Sequence, residues 1–458
     1  MKIHFIGIGG IGVSALANYF LQKGASVSGS DLSESEIIND LKKMGAKIPL
    51  SCPFLKGGGK GIGHRAENVP VGTGLVVYSA AVTKHNPEFK EAKRRKIKCQ
   101  TYAQALGELT KEYFTIAVSG THGKSTTTAM VALILIEAGL DPTVIVGTKL
   151  REFGNSNFRM GNSKYLIIEA DEYEASFLNC WPKIIVLTNI EEDHLDYYRD
   201  INHIVATFGE YVGHLSKGGV LVANGEDKNI ASIIQKSKVP PAPRLRRASK
   251  IQNFSLGFKI DNLKLRVPGR HNLMNAAAAM SVARVLGIRD KISVKALNKF
   301  KGTWRRFEYK GQVNGAKIFD DYGHHPTEIK ATLQGAREFL TIRHKPYATS
   351  HLWCVFQPHQ YERTYKLFDE FAAAFDEADK VVLLPIYSVA GREKESIKKK
   401  VSSEKLVQRL RAQGRQGVVY CDSFEKAADF LCKNLKRGDI AIIMGAGDIY
   451  KMTELLTR

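Results

Sequence analysis

The chain has no apolar run long enough to cross a bilayer, which would take about 20 residues in a helix. Its first residues, MKIHFIGIGGIGVS, are apolar, but they alternate with polar residues before a group of glycines. This pattern predicts a strand rather than a signal peptide. We therefore expect a cytoplasmic protein that does not insert into membranes.

Cysteine is also scarce, with six residues among 458, and none of them has C-x-x-C spacing. Scattered cysteines of this kind are typical of free thiols in a reducing compartment. Disulfides and a cysteine zinc site are therefore not expected.

Negative charge is in deficit, with 46 Asp and Glu against 67 Lys and Arg, for a formal net charge of +21. Much of the excess lies in short runs at 93–98, 244–250 and 398–400. Because no stacking aromatics are interleaved with these runs, nucleic acid is not expected as a partner. A basic surface equally suits small polyanionic substrates.

The most informative segment is FTIAVSGTHGKSTTT, residues 114–128. A strand-type apolar run is followed by a glycine turn, a Lys-Ser pair and a helical pattern, which predicts a nucleotide phosphate site. Lys124 is placed to reach the terminal phosphates, and the Ser125 hydroxyl to bind Mg²⁺. Val118 stands where the strict motif has a glycine, so the loop is a shortened G-x-x-G-K-S. The predicted phosphate-binding residues are Gly120, Thr121, His122, Gly123, Lys124, Ser125 and Thr126.

A second glycine turn, GIGGIG, follows the first predicted strand. Its glycines are Gly7, Gly9, Gly10 and Gly12. Asp31 follows at about the distance at which a dinucleotide fold places a ribose-binding acid. The pattern fits NAD, but the same turn holds any diphosphate. Beside a predicted ATP loop, a diphosphate-bearing substrate is at least as well supported.

Ionisable side chains follow two further predicted strands. Glu169 ends the strand at 165–168, where a metal ligand beside a phosphate loop is expected. The carboxylates at 171–174 fit an exposed acidic turn better. Asp193 and His194 share another strand end, which favours a second metal or a phosphate-facing role.

Two later motifs each leave two interpretations open. Asn272 and Asn275, one turn apart on a helix, fit either a purine contact or an N-cap. Arg306 fits either a phosphate clamp or a surface ion pair. The segment DDYGHHP has a density of ionisable groups that is unusual for purely structural residues. VFQPHQYERT is expected to expose His359 and Arg363 on a turn after a strand.

Strands and helices alternate along the whole chain, which predicts parallel α/β sheets. The pattern divides into three predicted domains, residues 1–109, 110–301 and 302–458. Segments 51–63 and 236–250 are predicted surface loops.

Taken in order, these motifs resemble those of the Mur ligases, the ATP-dependent amide-bond ligases that build the peptidoglycan stem peptide. The resemblance implies a Rossmann-like UDP-binding domain, a central P-loop ATPase-like domain and a Rossmann-like C-terminal domain. The motifs that carry it are GIGGIG, SGSD, YSAAVTKHNPE, GTHGKSTTT, EADE, TNIEEDHLD, GRHNLMNA, RRFEY, DDYGHHPTE, VFQPHQYERT and MGAGDIY.

The resemblance also implies a mechanism. ATP would bind with Lys124 at its γ-phosphate, Ser125 and Glu169 would bind one Mg²⁺, and His194 a second. The substrate carboxylate would attack the γ-phosphorus to form an acyl phosphate, which an amine then captures. Positioning and charge neutralisation are what such a transfer demands.

Further roles follow from the same resemblance. Asn272 and Asn275 match adenine-side positions, and Arg306 and Asp321 match ATP contacts. Tyr322 and His324 match positions near the incoming amino acid. The implied catalytic residues are Lys124, Glu169, His194, Arg306 and His324. The implied substrate-binding residues are Gly7, Gly9, Gly10, Gly12, Asp31, Ser79, Tyr322, His324, His359 and Arg363.

Within the family, GIGGIG, DDYGHHPTE, VFQPH and GAGDIY are most similar to the branch that joins L-alanine to UDP-N-acetylmuramate. EADEY, with Tyr173, is closer to the branch that attaches a recycled tripeptide. Gln360 stands where the alanine-adding branch commonly has an arginine. Arg392 is a candidate to supply the missing positive charge. A non-catalytic nucleotide-binding regulator and a dehydrogenase are the alternatives from other classes. A monomer or homodimer is expected.

Overall fold

The computed structural model describes residues 1–49, 68–238, 248–255, 257, 260–343, 350–389 and 395–457. The predicted loop at 51–63, most of that at 236–250, and Arg392 lie outside these residues. Within the described ranges, no helix is both long and apolar enough to span a membrane. All five described cysteines are free thiols, as predicted.

The first sheet has four parallel strands in the order β2-β1-β3-β4. Helix α4 begins with a capping box, in which the Thr101 and Gln104 side chains bond each other's backbone N–H. The elements are β1 (Lys2–Ile6), α1 (Ile11–Gln22), β2 (Ser26–Ser30), α2 (Glu36–Lys43), β3 (Leu75–Tyr78), α3 (Pro87–Arg94), β4 (Lys98–Thr101) and α4 (Tyr102–Glu112).

The second sheet has seven strands in the order β11-β10-β9-β5-β8-β6-β7, and only the β6/β7 pair is antiparallel. Its central strands are apolar and buried on both faces, as parallel strands covered by helices must be. The elements are β5 (Phe114–Ser119), α5 (Lys124–Glu137), β6 (Thr143–Leu150), β7 (Ser156–Arg159), β8 (Tyr165–Glu169), β9 (Ile184–Leu187), α6 (Ile201–Val212), β10 (Gly219–Asn224), α7 (Lys228–Lys238), β11 (Ala248–Phe254), α8 (Arg270–Val285) and α9 (Asp290–Lys299), with short 3₁₀ helices at Arg151–Phe153 and Tyr173–Asn179.

The first two sheets are joined by direct contacts. The buried Asn157 side chain of β7 donates hydrogen bonds to the Ile11 carbonyl and the Ser14 hydroxyl in the first turn of α1. The hydroxyls of Tyr19 and Tyr113 lie 3.1 Å apart. These contacts attach the helix that follows GIGGIG to the sheet that carries the phosphate loop.

The third sheet has six strands in the order β12-β13-β17-β14-β15-β16, antiparallel only at β12/β13. Helices α10, α12 and α14 contribute to the apolar core on one face, and α15 and α16 to that on the other. The elements are β12 (Glu308–Val313), β13 (Ala316–Asp321), α10 (Pro326–Arg343), β14 (Leu352–Phe356), α11 (Tyr361–Lys366), α12 (Phe368–Ala372), β15 (Lys380–Leu383), α13 (Glu395–Lys398), α14 (Ser403–Ala412), β16 (Val418–Tyr420), α15 (Phe424–Asn434), β17 (Ile440–Met444) and α16 (Tyr450–Leu456).

The chain packs as two compact units. The first unit comprises Met1–Ile190, Val205–Phe258 and Ala277–Ala296, and contains the first two sheets. The second unit comprises Glu191–Ile204, Lys259–Ala276 and Leu297–Arg458, and contains the third sheet. The predicted α/β class with parallel sheets is confirmed, whereas the predicted domain boundaries stay predictions.

Candidate active site

The phosphate loop lies at the carboxyl end of β5, which is flanked on both sides by parallel strands, β8 and β9. Helix α5 begins at Lys124, directly after Gly123. Gly120 has φ +136°, and a Cβ there would lie 2.1 Å from Thr188 Oγ1. Only glycine therefore fits at this position without moving the end of β9.

Thr188 and Asn189, which directly follow β9, form hydrogen bonds with the phosphate loop. The His122 N–H donates to Asn189 Oδ1 at 2.8 Å, and the Thr121 N–H donates to the Asn189 carbonyl at 3.0 Å. The Thr188 hydroxyl donates to the His122 carbonyl at 2.6 Å. The TNIEED motif thus fixes the shape of the phosphate loop.

Lys124 closes the loop through its ammonium group. Its Nζ donates to the Gly120 carbonyl at 2.8 Å and to the Thr121 carbonyl at 3.1 Å, and it lies 2.8 Å from both carboxylate oxygens of Glu172. Glu172 is only 3% exposed, so the expectation that it belongs to an exposed acidic turn is wrong. No local pattern predicts this contact, because the two partners lie 48 positions apart.

The charge of Lys124 is well supported. Burial lowers the pKa of Lys124, but the negative charges of Glu172, Asp171 and Glu169 outweigh this effect and raise it. Lys124 is therefore a cation at neutral pH, as its predicted contact with phosphate requires.

Ser125 and Glu169 lie together, as predicted for ligands of one Mg²⁺. The Ser125 hydroxyl donates to Glu169 Oε1 at 2.9 Å, and the Gly147 N–H donates to Glu169 Oε2 at 2.7 Å. Burial raises the pKa of Glu169, although Lys124 opposes this. A hydroxyl and a carboxylate side by side at the start of α5 fit a hard cation with oxygen ligands.

The GIGGIG segment connects β1 to α1, with Gly10 as the residue before the helix. The Gly9 N–H donates to Asp31 Oδ2 at 2.8 Å, and the Leu32 N–H donates to Asp31 Oδ1 at 2.7 Å. Asp31 thus fixes the glycine turn, and its predicted substrate contact stays a prediction. Ser79 follows β3 at the same edge of the sheet, with its N–H donating to the Ile6 carbonyl.

In the second unit, Asp193 and Arg363 form a buried ion pair. The guanidinium donates through Nε and Nη2 to Asp193 Oδ1, at 3.2 and 2.8 Å. Arg363 is 7% exposed, so the expectation of an exposed arginine is wrong. Burial raises the pKa of Asp193, but Arg363 and nearby histidines hold it well below its ordinary value. His194 follows in a left-handed conformation, its N–H bonded to Asp193 Oδ1.

His324 lies beside this pair and is kept neutral. Its Nδ1 is 3.2 Å from the Tyr322 carbonyl and 3.3 Å from Glu328 Oε2. Burial lowers the pKa of His324 to about 3, and Arg363 adds to this effect while Glu328 and Asp193 oppose it. At pH 7 its imidazole is therefore neutral.

The two neighbouring arginines of WRRFEY have different environments. Arg306 Nη1 donates to Glu328 Oε1 at 2.9 Å and remains partly exposed. Arg305 is 2% exposed and lies 3.2 Å from Asp320. Arg306, which is predicted to contact ATP, is thus the more exposed of the two arginines.

Asp321 is buried, and both of its carboxylate oxygens accept backbone N–H groups. The donors are Phe307 at 2.8 Å and Gly323 at 2.7 Å. Burial raises the pKa of Asp321, against the opposing effect of Arg306. Its predicted ATP contact stays a prediction.

The remaining predicted residues of the second unit are partly or fully buried. The His359 ring stacks on Tyr387 with centroids 5.3 Å apart. Gln360, which replaces the common arginine, has φ +73° and precedes α11. The Asn272 Nδ2 donates to the Pro268 carbonyl at 2.7 Å. The Asn275 Nδ2 donates to Asn272 Oδ1 at 3.4 Å.

Three sequence profiles of one family match the chain. They are the Mur ligase family catalytic domain over residues 2–114, the Mur ligase middle domain over 118–283, and the Mur ligase glutamate ligase domain over 305–447.

Relatives match over the full length. The chain is 42% identical to UDP-N-acetylmuramate–L-alanine ligase of Clostridium botulinum, over 99% of this chain and 96% of that protein. It is 42% identical to the enzyme of the same name from Clostridium tetani, over 100% of this chain and 98% of that protein. The crystal structure of UDP-N-acetylmuramate-alanine ligase from Thermotoga maritima matches with a TM-score of 0.77 and 26% identity, over 100% and 98% of the two chains.

Proposed function

The chain belongs to the Mur ligase family, and we propose that it joins L-alanine to the carboxylate of UDP-N-acetylmuramate with ATP as the phosphate donor. It is an ATP-dependent amide-bond ligase of peptidoglycan precursor synthesis, and it releases ADP and phosphate. The observation that carries the proposal is the meeting of Lys124, Ser125 and Glu169 at the carboxyl end of the central sheet. The full-length similarity to L-alanine ligases selects the substrates.

We assign the phosphate-transfer half of the reaction to residues of the first unit together with His194. Gly120 to Thr126 would bind the ATP phosphates at the N-terminus of α5, and Lys124 would exchange its bond to Glu172 for one to the γ-phosphate. Ser125 and Glu169 would hold Mg²⁺, and His194 is the proposed ligand of a second ion. Such ions neutralise the charge that builds up on the transferred phosphoryl group.

The proposed reaction has two chemical steps. A carboxylate oxygen of the muramyl group attacks the γ-phosphorus, the bond to the ADP oxygen breaks, and an acyl phosphate forms. The amine of L-alanine attacks the acyl carbon, and phosphate leaves. His324, whose imidazole is neutral at pH 7, is assigned to a position near the incoming amino acid. Arg306 is assigned to ATP, together with Asp321, Asn272 and Asn275.

The glycine turn is assigned to the sugar nucleotide. Gly7, Gly9, Gly10 and Gly12 would bind the UDP diphosphate at the N-terminus of α1, where backbone N–H groups favour an anion. Asp31, Ser79, Tyr322, His359 and Arg363 are the further residues proposed to bind substrates.

An amino-acid panel tests the proposal. Purified protein is given ATP, Mg²⁺ and UDP-N-acetylmuramate, with each amino acid in turn, and both phosphate release and the new amide are measured. We expect turnover with L-alanine and none when the sugar nucleotide is omitted. No amide with L-alanine contradicts the proposal.

The same panel decides the alternative within the family, which the Tyr173 of EADEY favours. Turnover with the recycled tripeptide and none with L-alanine would assign the chain to the recycling branch. Glycine and serine belong in the panel as well, because small side chains differ little in binding free energy.

A further inference from the structure

The GIGGIG turn is shaped by two consecutive residues at the end of β2. The carbonyl of Ser30 accepts hydrogen bonds from the Gly7 and Ile8 N–H groups, at 2.9 and 3.0 Å. The next residue, Asp31, accepts the Gly9 N–H at 2.8 Å. Both residues belong to the SGSD motif, which the proposed function uses only through Asp31. The position of Ser30 therefore sets the position of the first half of the turn.

Ser30 is in turn held by a buried carboxylate on a helix. Its hydroxyl donates to Glu88 Oε2 at 2.6 Å, and Ser30 is 2% and Glu88 0% exposed. Glu88 ends the YSAAVTKHNPE motif and lies in the first turn of α3, 58 positions from Ser30. This hydrogen bond therefore links α3 to the end of the strand that holds the glycine turn.

The Glu88 carboxylate has further partners on both oxygens. Oε1 accepts from Asn68 Nδ2 at 2.7 Å, and Oε2 lies 3.1 Å from His4 Nε2. The buried His4 ring belongs to β1, and its Nδ1 lies 2.9 Å from the Ser28 hydroxyl. Burying a carboxylate is costly unless its oxygens are bonded, and here the bonds come from three segments of the chain. The carboxylate is therefore fixed in place.

We propose that Glu88 is a positioning residue for the sugar nucleotide, because its bond to Ser30 holds the GIGGIG turn in the shape that receives the diphosphate. This inference rests on the proposed function. The Glu88 side chain has no exposed surface, so its effect reaches the turn through Ser30. Groups that orient a binding residue from behind have a large effect on affinity. The phosphate loop is held instead by Thr188 and Asn189, so ATP binding should not depend on Glu88.

Calorimetric titration tests this inference, with UDP-N-acetylmuramate and ATP as separate ligands. Ser30→Ala removes the hydroxyl that bonds Glu88, and we expect its Kd for the sugar nucleotide to rise about tenfold with the Kd for ATP unchanged. Glu88→Ala should have the same effect. Glu88→Gln keeps a carbonyl oxygen that can accept the Ser30 hydroxyl, and it should recover most of the affinity. The control Glu91→Gln removes a carboxylate that pairs with Arg94 on the same helix, and it should match wild type.

A double-mutant cycle separates positioning from general structural damage. If Glu88 acts through Ser30, the variant with both alanines should bind the sugar nucleotide no more weakly than Glu88→Ala alone. An unchanged Kd for the sugar nucleotide in Ser30→Ala, additive effects in the cycle, or equal rises for both ligands overturns the inference. Ser30→Ala removes a single oxygen atom and decides the question even if Glu88→Ala does not fold. If wild-type protein binds ATP but not UDP-N-acetylmuramate, the proposed function itself fails, which is a distinct result.

Discussion

Two clusters of charged side chains differ in how they are built. The phosphate cluster, in the first unit, consists of Lys124, Ser125, Glu169 and Glu172, and it is arranged around a glycine loop whose backbone sets its shape. The arginine–histidine cluster, in the second unit, consists of Asp193, Arg306, His324, Glu328 and Arg363. Its members come from separate segments of the chain and hold one another mainly through side-chain ion pairs.

This difference predicts different weaknesses. The phosphate cluster depends on backbone geometry, so an added methyl group can disturb it. The arginine–histidine cluster depends on charge balance in a buried place, where the loss of one partner leaves the other uncompensated. Variants of each kind should therefore affect stability, activity and pH dependence differently.

The largest effect is expected at Lys124. Lys124→Ala should lower kcat by about three orders of magnitude or more, because the γ-phosphate loses its neutralising cation. It also removes the cation that lies beside the buried Glu172 carboxylate, so stability should fall as well. The double variant Lys124→Ala with Glu172→Gln should recover stability in urea unfolding but not turnover. Recovery of turnover would contradict the assigned role.

Arg363 should have the largest effect on stability. Arg363→Ala leaves the Asp193 carboxylate buried without its partner, and we expect the free energy of unfolding to fall by about 3–5 kcal/mol. Urea unfolding near pH 7 measures it. The control Arg94→Ala breaks an exposed pair with Glu91 and should leave stability nearly unchanged. Equal effects of the two changes would mean that the Asp193 pair is not buried in solution.

Gly120 tests the role of backbone geometry. Gly120→Ala should cost about 2–3 kcal/mol of stability and weaken ATP binding, because its Cβ would meet Thr188 Oγ1. Gly139→Ala is the matched control, since Gly139 also has positive φ but a Cβ added there would meet no atom within 4 Å. Unfolding and ATP-binding measurements on both variants separate steric contact from backbone strain.

His324 should give the smallest effect, a dependence of stability on pH. Its pKa is lowered by burial to about 3, with Glu328 and Asp193 opposing and Arg363 and His359 supporting the shift. Between pH 6.5 and 3 the unfolded histidine binds a proton that the folded one does not, so stability falls as the pH falls through this window. When the pH is lowered from 7.5 to 5, the free energy of unfolding of His324→Gln should fall by about 2 kcal/mol less than that of wild type.

Unfolding measured at both pH values compares wild type with His324→Gln. If the two proteins lose the same stability on acidification, His324 titrates as an ordinary exposed histidine. The arginine–histidine cluster would then be open to water.

Local patterns predict most of the fold. The strand predicted at 165–168 lies within β8, which is one residue longer, and one segment predicts the glycine loop after β5 together with helix α5. These features depend on apolar alternation and on glycine spacing, both of which are visible in a short window.

The features that local patterns do not predict depend on partners that are distant in sequence. Glu172 lies beside Lys124, which is 48 positions earlier, and Arg363 lies beside Asp193, which is 170 positions earlier. No window of one sequence shows which remote segment will lie beside such a group.

The contacts of Asn157 and Tyr19 have a consequence for inhibitor chemistry. Because they attach the GIGGIG helix to the sheet that carries the phosphate loop, the two glycine turns of the first unit, which we propose bind anions, should keep one separation. A bisubstrate compound that joins a UDP analogue to a triphosphate mimic should thus gain from a rigid tether of a single length. Longer flexible tethers should lose potency through the entropy of ordering them.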